Sequence, residues 1–397
     1  MELLENPIRH YAWGSHTAIA AVQGRKFPAE QPEAELWMGA HPGNPSAVVA
    51  DGRSLLDVIA ADPVALLGAD NVRRFGERLP FLMKVLAADA PLSIQAHPDA
   101  AQARAGFDAE ETEQIPLDAT VRNYVDPYHK PELLVAMSEF DALCGFRDPV
   151  RSAELLARLD VPALAPTVDL LRHGDPGQAL REAVTTVMTV PESMRGPLLD
   201  QVVAACAALA GDGEDGRTYA MAAALGKAYP GDIGVLLAMM LNHVVLQPGE
   251  AIYMPAGNAH AYLRGVGVEI MAASDNVLRG GLTAKHIDVP ELLRVLRYEP
   301  LADPRVTPVE VAPGVSEWPT PMPEFRLTRA RVGGLVDEAK LIAKGPRVFL
   351  CWSGQVRLDD GVSEVTLLPG QAAFVSADAG DVVTATGFGE LYQAAVS

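Results

Sequence analysis

Cysteine is scarce in this chain of 397 residues: Cys144, Cys206 and Cys351 lie far apart and form no C-x-x-C pair. An odd and sparse set excludes a disulfide framework and fits a reducing cytoplasm. Basic residues are also few, 32 against 51 acidic ones, for a formal net charge of −19. That field disfavours nonspecific binding to nucleic acid or to an anionic membrane. No apolar run is long enough to span a bilayer; the longest, Ile233 to Leu246, carries Asn242 and His243. The opening residues, Met1 to Asn6, have neither a cationic nor an apolar segment of the kind a signal peptide needs. No Gly-rich nucleotide-binding stretch is present either. The expectation is a cytoplasmic, soluble protein with no nucleic acid or membrane partner, working as a monomer.

What is present reads as mainly β, interrupted by helices. Residues 1–147 mix short apolar runs with frequent Pro and Gly, with helical patches at Ser54–Leu67 and Ala100–Glu113. Between 148 and 240 apolar residues recur at helical spacing in Arg151–Leu159, Pro166–Arg172, Gln178–Met188, Met194–Leu209 and Thr218–Ala228. This predicts a helical block inserted between two β segments. Strand patterns return over 241–300, with one more helix at Val289–Leu296, and Pro300, Pro304 and Pro308 mark a linker. The remainder, 301–397, predicts short strands at Arg347–Trp352, Gln355–Asp359, Ser363–Leu367, Ala372–Val375 and Val382–Thr386.

The most informative stretch runs from Pro248 to His260. A Pro-Gly turn leads into a short apolar strand, a Pro-x-Gly turn ends it, and His260 follows. This spacing resembles the second motif of the cupin barrels, where such a histidine binds a metal at the barrel mouth. Pro248–Met254 is echoed by Pro369–Val375, 121 residues later, but His260 then falls on Asp381, and no histidine follows His286. The reading is therefore two cupin-like jelly-roll barrels, the C-terminal one metal-free, with a helical domain inserted in the first.

A metal at His260 needs further ligands. In the stretch Pro91–Pro98 alternate residues of a strand share a face, so Ser93, Gln95 and His97 point one way and Leu92, Ile94 and Ala96 the other. Glu132 opens the apolar run Leu133–Ala136, and a carboxylate entering a core strand demands a positive partner. Gln95, His97, Glu132 and His260 together make a mixed N/O set compatible with Zn2+ and leave the site one positive charge. Lys84, Lys130, Arg279 and Lys285 flank these segments. Each alone reads as a surface charge; together, on so acidic a chain, they suggest a local anion pocket.

Asn6–Gly14, Ala34–Pro42, Ser93–Asp99, His129–Glu132 and Ser274–Thr283, in this order, resemble the type I phosphomannose isomerases, members of the cupin superfamily. The resemblance implies a zinc-dependent aldose–ketose isomerase acting on mannose 6-phosphate and fructose 6-phosphate through a cis-enediol(ate). It also implies zinc ligation by Gln95, His97, Glu132 and His260, and a catalytic role for Arg279. Ser93, Lys130, Glu269, Asp275 and Lys285 match positions of the sugar-phosphate site, with Tyr262 nearby and Lys84 and His129 fitting more loosely. The base that moves the proton between C2 and C1 is left open among His129, Lys130, Glu269 and Asp275. Phosphate binding falls to Lys285, Ser93 and Lys84, and packing on the sugar to Trp13 and Tyr262. Two other readings stand beside this one. An iron-dependent cupin oxygenase would favour a histidine-rich shell, and a non-catalytic sugar-phosphate binder would keep the fold without turnover.

Overall fold

Two large antiparallel sheets, one of eleven strands and one of ten, carry the chain, and a block of helices packs on the first. The computed structural model describes all 397 residues. No helix is long and apolar enough to cross a membrane.

The eleven-stranded sheet is organised around the strand His260–Ala272. Its C-terminal part lies between Phe81–Ala88 and Glu132–Ala136, while its first residues pair with Ile94–Ala96 and Phe140–Phe146. One strand can serve both sets of partners because it bends at a bulge between Tyr262 and Arg264. Gly265 follows with φ +129, and a Cβ there would lie 2.7 Å from the Glu139 carbonyl oxygen, so neither the backbone angle nor the space admits a side chain.

Helices from Pro149–Ala157 to Gly234–Met239 form the inserted block. Asp148 and Asp175 cap two of them by accepting backbone N–H bonds, and Pro at the first helical position suits both starts. The buried faces of these helices share one core with Ile94, Ala96, Ala259, Ala261 and Leu278. The strand carrying Gln95 thus buries its apolar side against the helices and leaves its polar side elsewhere.

The amino terminus joins the second sheet: Glu2–Glu5 pairs with Ala372–Val375. The two Pro-Gly echoes adopt the same local form, since Ala251–Met254 and Ala372–Val375 are both four-residue strands. Other expectations need correction. The helical patch at Ser54–Leu67 is two helices, Leu55–Ala61 and Pro63–Leu67, because Pro63 cannot continue the first and Asp62 caps the second. Arg347–Trp352 and Gln355–Asp359 are one strand, Arg347–Asp359, with a bulge between Cys351 and Ser353. The last strand runs on from Val382 to Ala395. The apolar run at Ile233–Leu246 divides into the helix Gly234–Met239 and the strand Leu241–Leu246.

The helix Ala100–Thr112 begins with a full capping box, Asp99 with Gln102, and pins the loop that follows it. Glu110 accepts from the backbone N–H groups of Asn123 and Tyr124, at 2.9 and 2.8 Å. The Tyr124 ring lies so close over Gly106 that a Cβ there would overlap it. Gly106→Ala is expected to cost about 1–3 kcal/mol by overpacking, read as a lower melting temperature; an unchanged midpoint would show that the ring is free to move.

Candidate metal centre and the adjoining cavity

His260 is the first residue of its strand and pairs in register with Gln95 on one side and Cys144 on the other. Glu132 likewise opens its strand, opposite Met254 and Met271. His97 follows the short strand Ile94–Ala96. These strand ends bring His97, Glu132 and His260 together in the interior, with their donor atoms all within 4.8 Å of one another. Nε2 of His97 lies 3.4 Å from Glu132 Oε1, and Nε2 of His260 lies 3.1 Å from Glu132 Oε2.

The other ring nitrogens show what faces this space. His97 Nδ1 lies 2.7 Å from the Asn276 carbonyl oxygen, and His260 Nδ1 lies 3.1 Å from the Asn258 carbonyl oxygen. A carbonyl oxygen only accepts, so each imidazole donates its proton there and turns an Nε2 lone pair toward Glu132. Nε2 of His97 is buried without any hydrogen-bond partner. Two lone pairs and a carboxylate converge where none can donate, an arrangement that a divalent cation satisfies. Burial pushes the His97 imidazole down to about 4, which keeps it neutral as a ligand must be. Burial opposes the charge on Glu132, yet the Lys130 ammonium beside it holds it well below the usual carboxylate range.

Asn276 fixes this geometry. Its Oδ1 accepts from the backbone N–H groups of Val125 and Asp126, and its Nδ2 donates to the carbonyl oxygens of Asp126 and Tyr128, at 2.7 and 2.8 Å. The carbonyl that orients His97 therefore sits on a residue tied to the neighbouring loop by its whole amide.

Beside the centre opens a cavity of about 660 Å³, bordered by Gln95 and Lys130. Lys130 Nζ lies 3.1 Å from Glu132 Oε1, which links the cavity wall to the buried carboxylate. Arg9, Lys84, Lys130, Arg279 and Lys285 line it against two carboxylates, Glu35 and Asp275. A local excess of cations thus persists on a chain of net −19. Arg279 pairs in register with Gln95. Burial lowers the pKa of both Arg279 and Lys285, and neither forms an ion pair within the chain. Ser93 and Trp13 line the same cavity, and Trp13 is stacked on Tyr11 with ring centres 5.6 Å apart. Asp275, half exposed, lies 3.6 Å from Nε2 of the buried His41.

Lys84 is buried between two carboxylates, 3.6 Å from Glu35 and 3.3 Å from Glu269. Desolvation alone would lower its pKa, but these charges more than reverse that and keep it protonated. Glu269 and Tyr262 are not on the cavity wall. The Tyr262 hydroxyl donates to Glu269 at 2.9 Å, and both are buried, so Tyr262 is not available to pack on a ligand there. His129 is also directed elsewhere: its Nε2 pairs with Glu324 at 2.8 Å, and it borders a different cavity. Sequence reasoning missed Glu35, His41 and Asn276. All three lie in the motifs Ala34–Pro42 and Ser274–Thr283, but only strand register, Trp37 opposite Lys84 and Glu35 two residues away, shows what Glu35 meets.

Residues 1–149 match the profile of the phosphomannose isomerase type I catalytic domain. Mannose-6-phosphate isomerase of Escherichia coli (strain K12) is 38% identical over 396 residues, with 98% of each chain covered. The enzyme of Schizosaccharomyces pombe is 32% identical over 418 residues, with 97% of each covered. A crystal structure of mannose 6-phosphate isomerase bound with zinc and yttrium aligns with a TM-score of 0.91 at 35% identity, covering 100% of this chain and 99% of that one.

His97 gains its extra proton more readily when unfolded, because its folded pKa of about 4 lies below the ordinary 6.5. Stability of the metal-free protein should therefore be complete above pH 6.5 and fall as pH drops toward 4. Melting temperatures between about pH 6.5 and 5, above the range of ordinary carboxylates, should show this slope, and His97→Gln should flatten it. Equal slopes in both proteins would contradict the assignment.

Proposed function

This chain belongs to the type I phosphomannose isomerase family, and from that premise we propose that it is a zinc-dependent aldose–ketose isomerase interconverting mannose 6-phosphate and fructose 6-phosphate. The observation that carries this reading is the buried convergence of His97, Glu132 and His260 beside a cavity rich in unpaired cations. An iron-dependent oxygenase has no need of such a cationic wall, and a simple binder has no need of the buried centre.

His97, Glu132 and His260 would hold the zinc, with Gln95 completing the set from the cavity side. Bound there, zinc supplies a Lewis acid that stabilises negative charge on the sugar oxygen at C1 or C2. Arg279, opposite Gln95 in register, lies beside the centre, and its guanidinium stabilises the charge that develops on the cis-enediol(ate). It stays protonated and so does not serve as the base. Of the four candidates for the base, Asp275 and Lys130 border the cavity. We assign the proton transfer between C2 and C1 to Asp275. Its carboxylate is half exposed on the cavity wall, whereas Lys130 is spent on Glu132. Glu269 and Tyr262 act through Lys84, holding the ammonium that faces the substrate. Lys285 and Ser93 bind the phosphate, and Trp13 packs on the sugar.

The finer architecture also belongs to this reading. We take residues 1–147 and 241–300 as one cupin-like jelly-roll barrel with 148–240 inserted, and 301–397 as a second. The bend of the strand His260–Ala272 and the two matching Pro-Gly strands support it.

Arg279→Ala should retain zinc and lower kcat by about 10²–10³-fold, as loss of one preorganised donor to a developing oxyanion does. Metal analysis beside a coupled isomerase assay reads both. A near-normal kcat would reduce Arg279 to a structural role.

A further inference from the structure

A second cavity, of about 540 Å³, opens where the helical block meets the first sheet, and it shares no lining residue with the one described above. Two helices turn their amino-terminal ends toward it, Pro149–Ala157 and Glu214–Ala228. The first turn of a helix presents N–H groups and the positive end of its dipole. Asp148 caps the first helix, but the second has Gly213 at its cap and no side-chain bond there.

The independent observation is Arg147. It lines this cavity while only 7% exposed, and its Nε is sealed off without a hydrogen-bond partner. Its one side-chain bond is from Nη2 to the Leu241 carbonyl oxygen, at 3.0 Å. A buried guanidinium that meets only a carbonyl lacks its counter-anion, and such a charge is costly to leave unpaired. Three more arginines share the cavity. Arg151 is matched by Glu154 and Asp215, and Arg305 by Asp303, but Arg217 forms no ion pair. The carboxylates facing them, Asp148, Glu214 and Asp303, are one fewer than the arginines, and Asp148 is engaged in capping.

We propose that this cavity is a second anion site, binding a phosphate dianion, free or carried by a small phosphomonoester, through Arg147 and Arg217. Arginine forks suit phosphate oxygens, and an uncapped helix start adds N–H donors. The volume exceeds that of a bare phosphate, so an attached group fits. The floor is stiff: Asn242 Nδ2 donates to the carbonyl oxygens of Phe146 and Leu301, at 3.2 and 2.7 Å. A bound anion would thus join the helical block to the Pro300–Arg305 segment across a fixed base. The site is independent of the catalytic reading.

Calorimetric titration of the full chain with inorganic phosphate and, separately, glycerol 3-phosphate tests this. The Arg279→Ala/Lys285→Ala background removes two unpaired cations of the first cavity, where Lys84 and Lys130 stay matched by carboxylates, and one binding event should remain. Adding Arg217→Glu, an exposed position that does not endanger folding, should weaken it at least roughly tenfold, as should Arg147→Met. Arg217→Glu alone should leave isomerase kcat in phosphate-free buffer unchanged. The stronger of the two ligands identifies the source of the phosphate. No binding event in the background protein, or equal affinities with and without the Arg217 and Arg147 changes, would overturn the proposal.

Discussion

A carboxylate set between two imidazole lone pairs, all three groups buried, is the constraint from which the rest of this molecule follows. Neither His97 nor His260 can donate to Glu132, because each has given its proton to a backbone carbonyl. Without a bound ion the cluster would bury two imidazole lone pairs against a carboxylate that Lys130 alone compensates. The fold accepts that burden at the ends of three strands, where side chains can converge without interrupting the ladders behind them. Asn276 adds the stiffness a ligand histidine needs, since its side chain is committed to the loop at 125–128 and its carbonyl to His97.

The wall beside this centre is organised by the same logic with the sign reversed. Lys84 is matched by Glu35 and Glu269, and Lys130 by Glu132, so these ammonium groups are fixed in position by neighbours. Arg279 and Lys285 are left unmatched and close to one another, which suits an incoming anion better than an internal partner. Matched cations give shape and unmatched ones give affinity. On a chain of net charge −19, this wall keeps a local excess of cations over carboxylates.

Much of this was legible in the sequence, and the reasons differ by residue. Gln95 and His97 were readable because strand alternation is strict: Ile94 and Ala96 go to the helical core, and Gln95 faces the cavity. Glu132 was readable because a charge at the head of an apolar run is anomalous. The helical block was readable from the helical spacing of its apolar residues. Other features depend on contacts distant in sequence. Nothing local indicates that Glu2–Glu5 pairs with Ala372–Val375, or that His129 turns to Glu324, just before the strand Arg326–Val332 of the second sheet. Tyr262 fitted a sugar contact by position, and only the register of its strand shows it buried against Glu269. The uniform apolar run before Leu246 had no period by which to separate a helix from a strand.

The most direct test of the central claim is the metal content of the purified protein, measured for the unaltered chain and for Glu132→Gln and His260→Ala. The unaltered chain should carry one zinc, bound tightly enough to survive dialysis, and each variant should lose both zinc and isomerase turnover. Variants that keep stoichiometric zinc and full turnover would contradict it, because the ion would then be held by other residues.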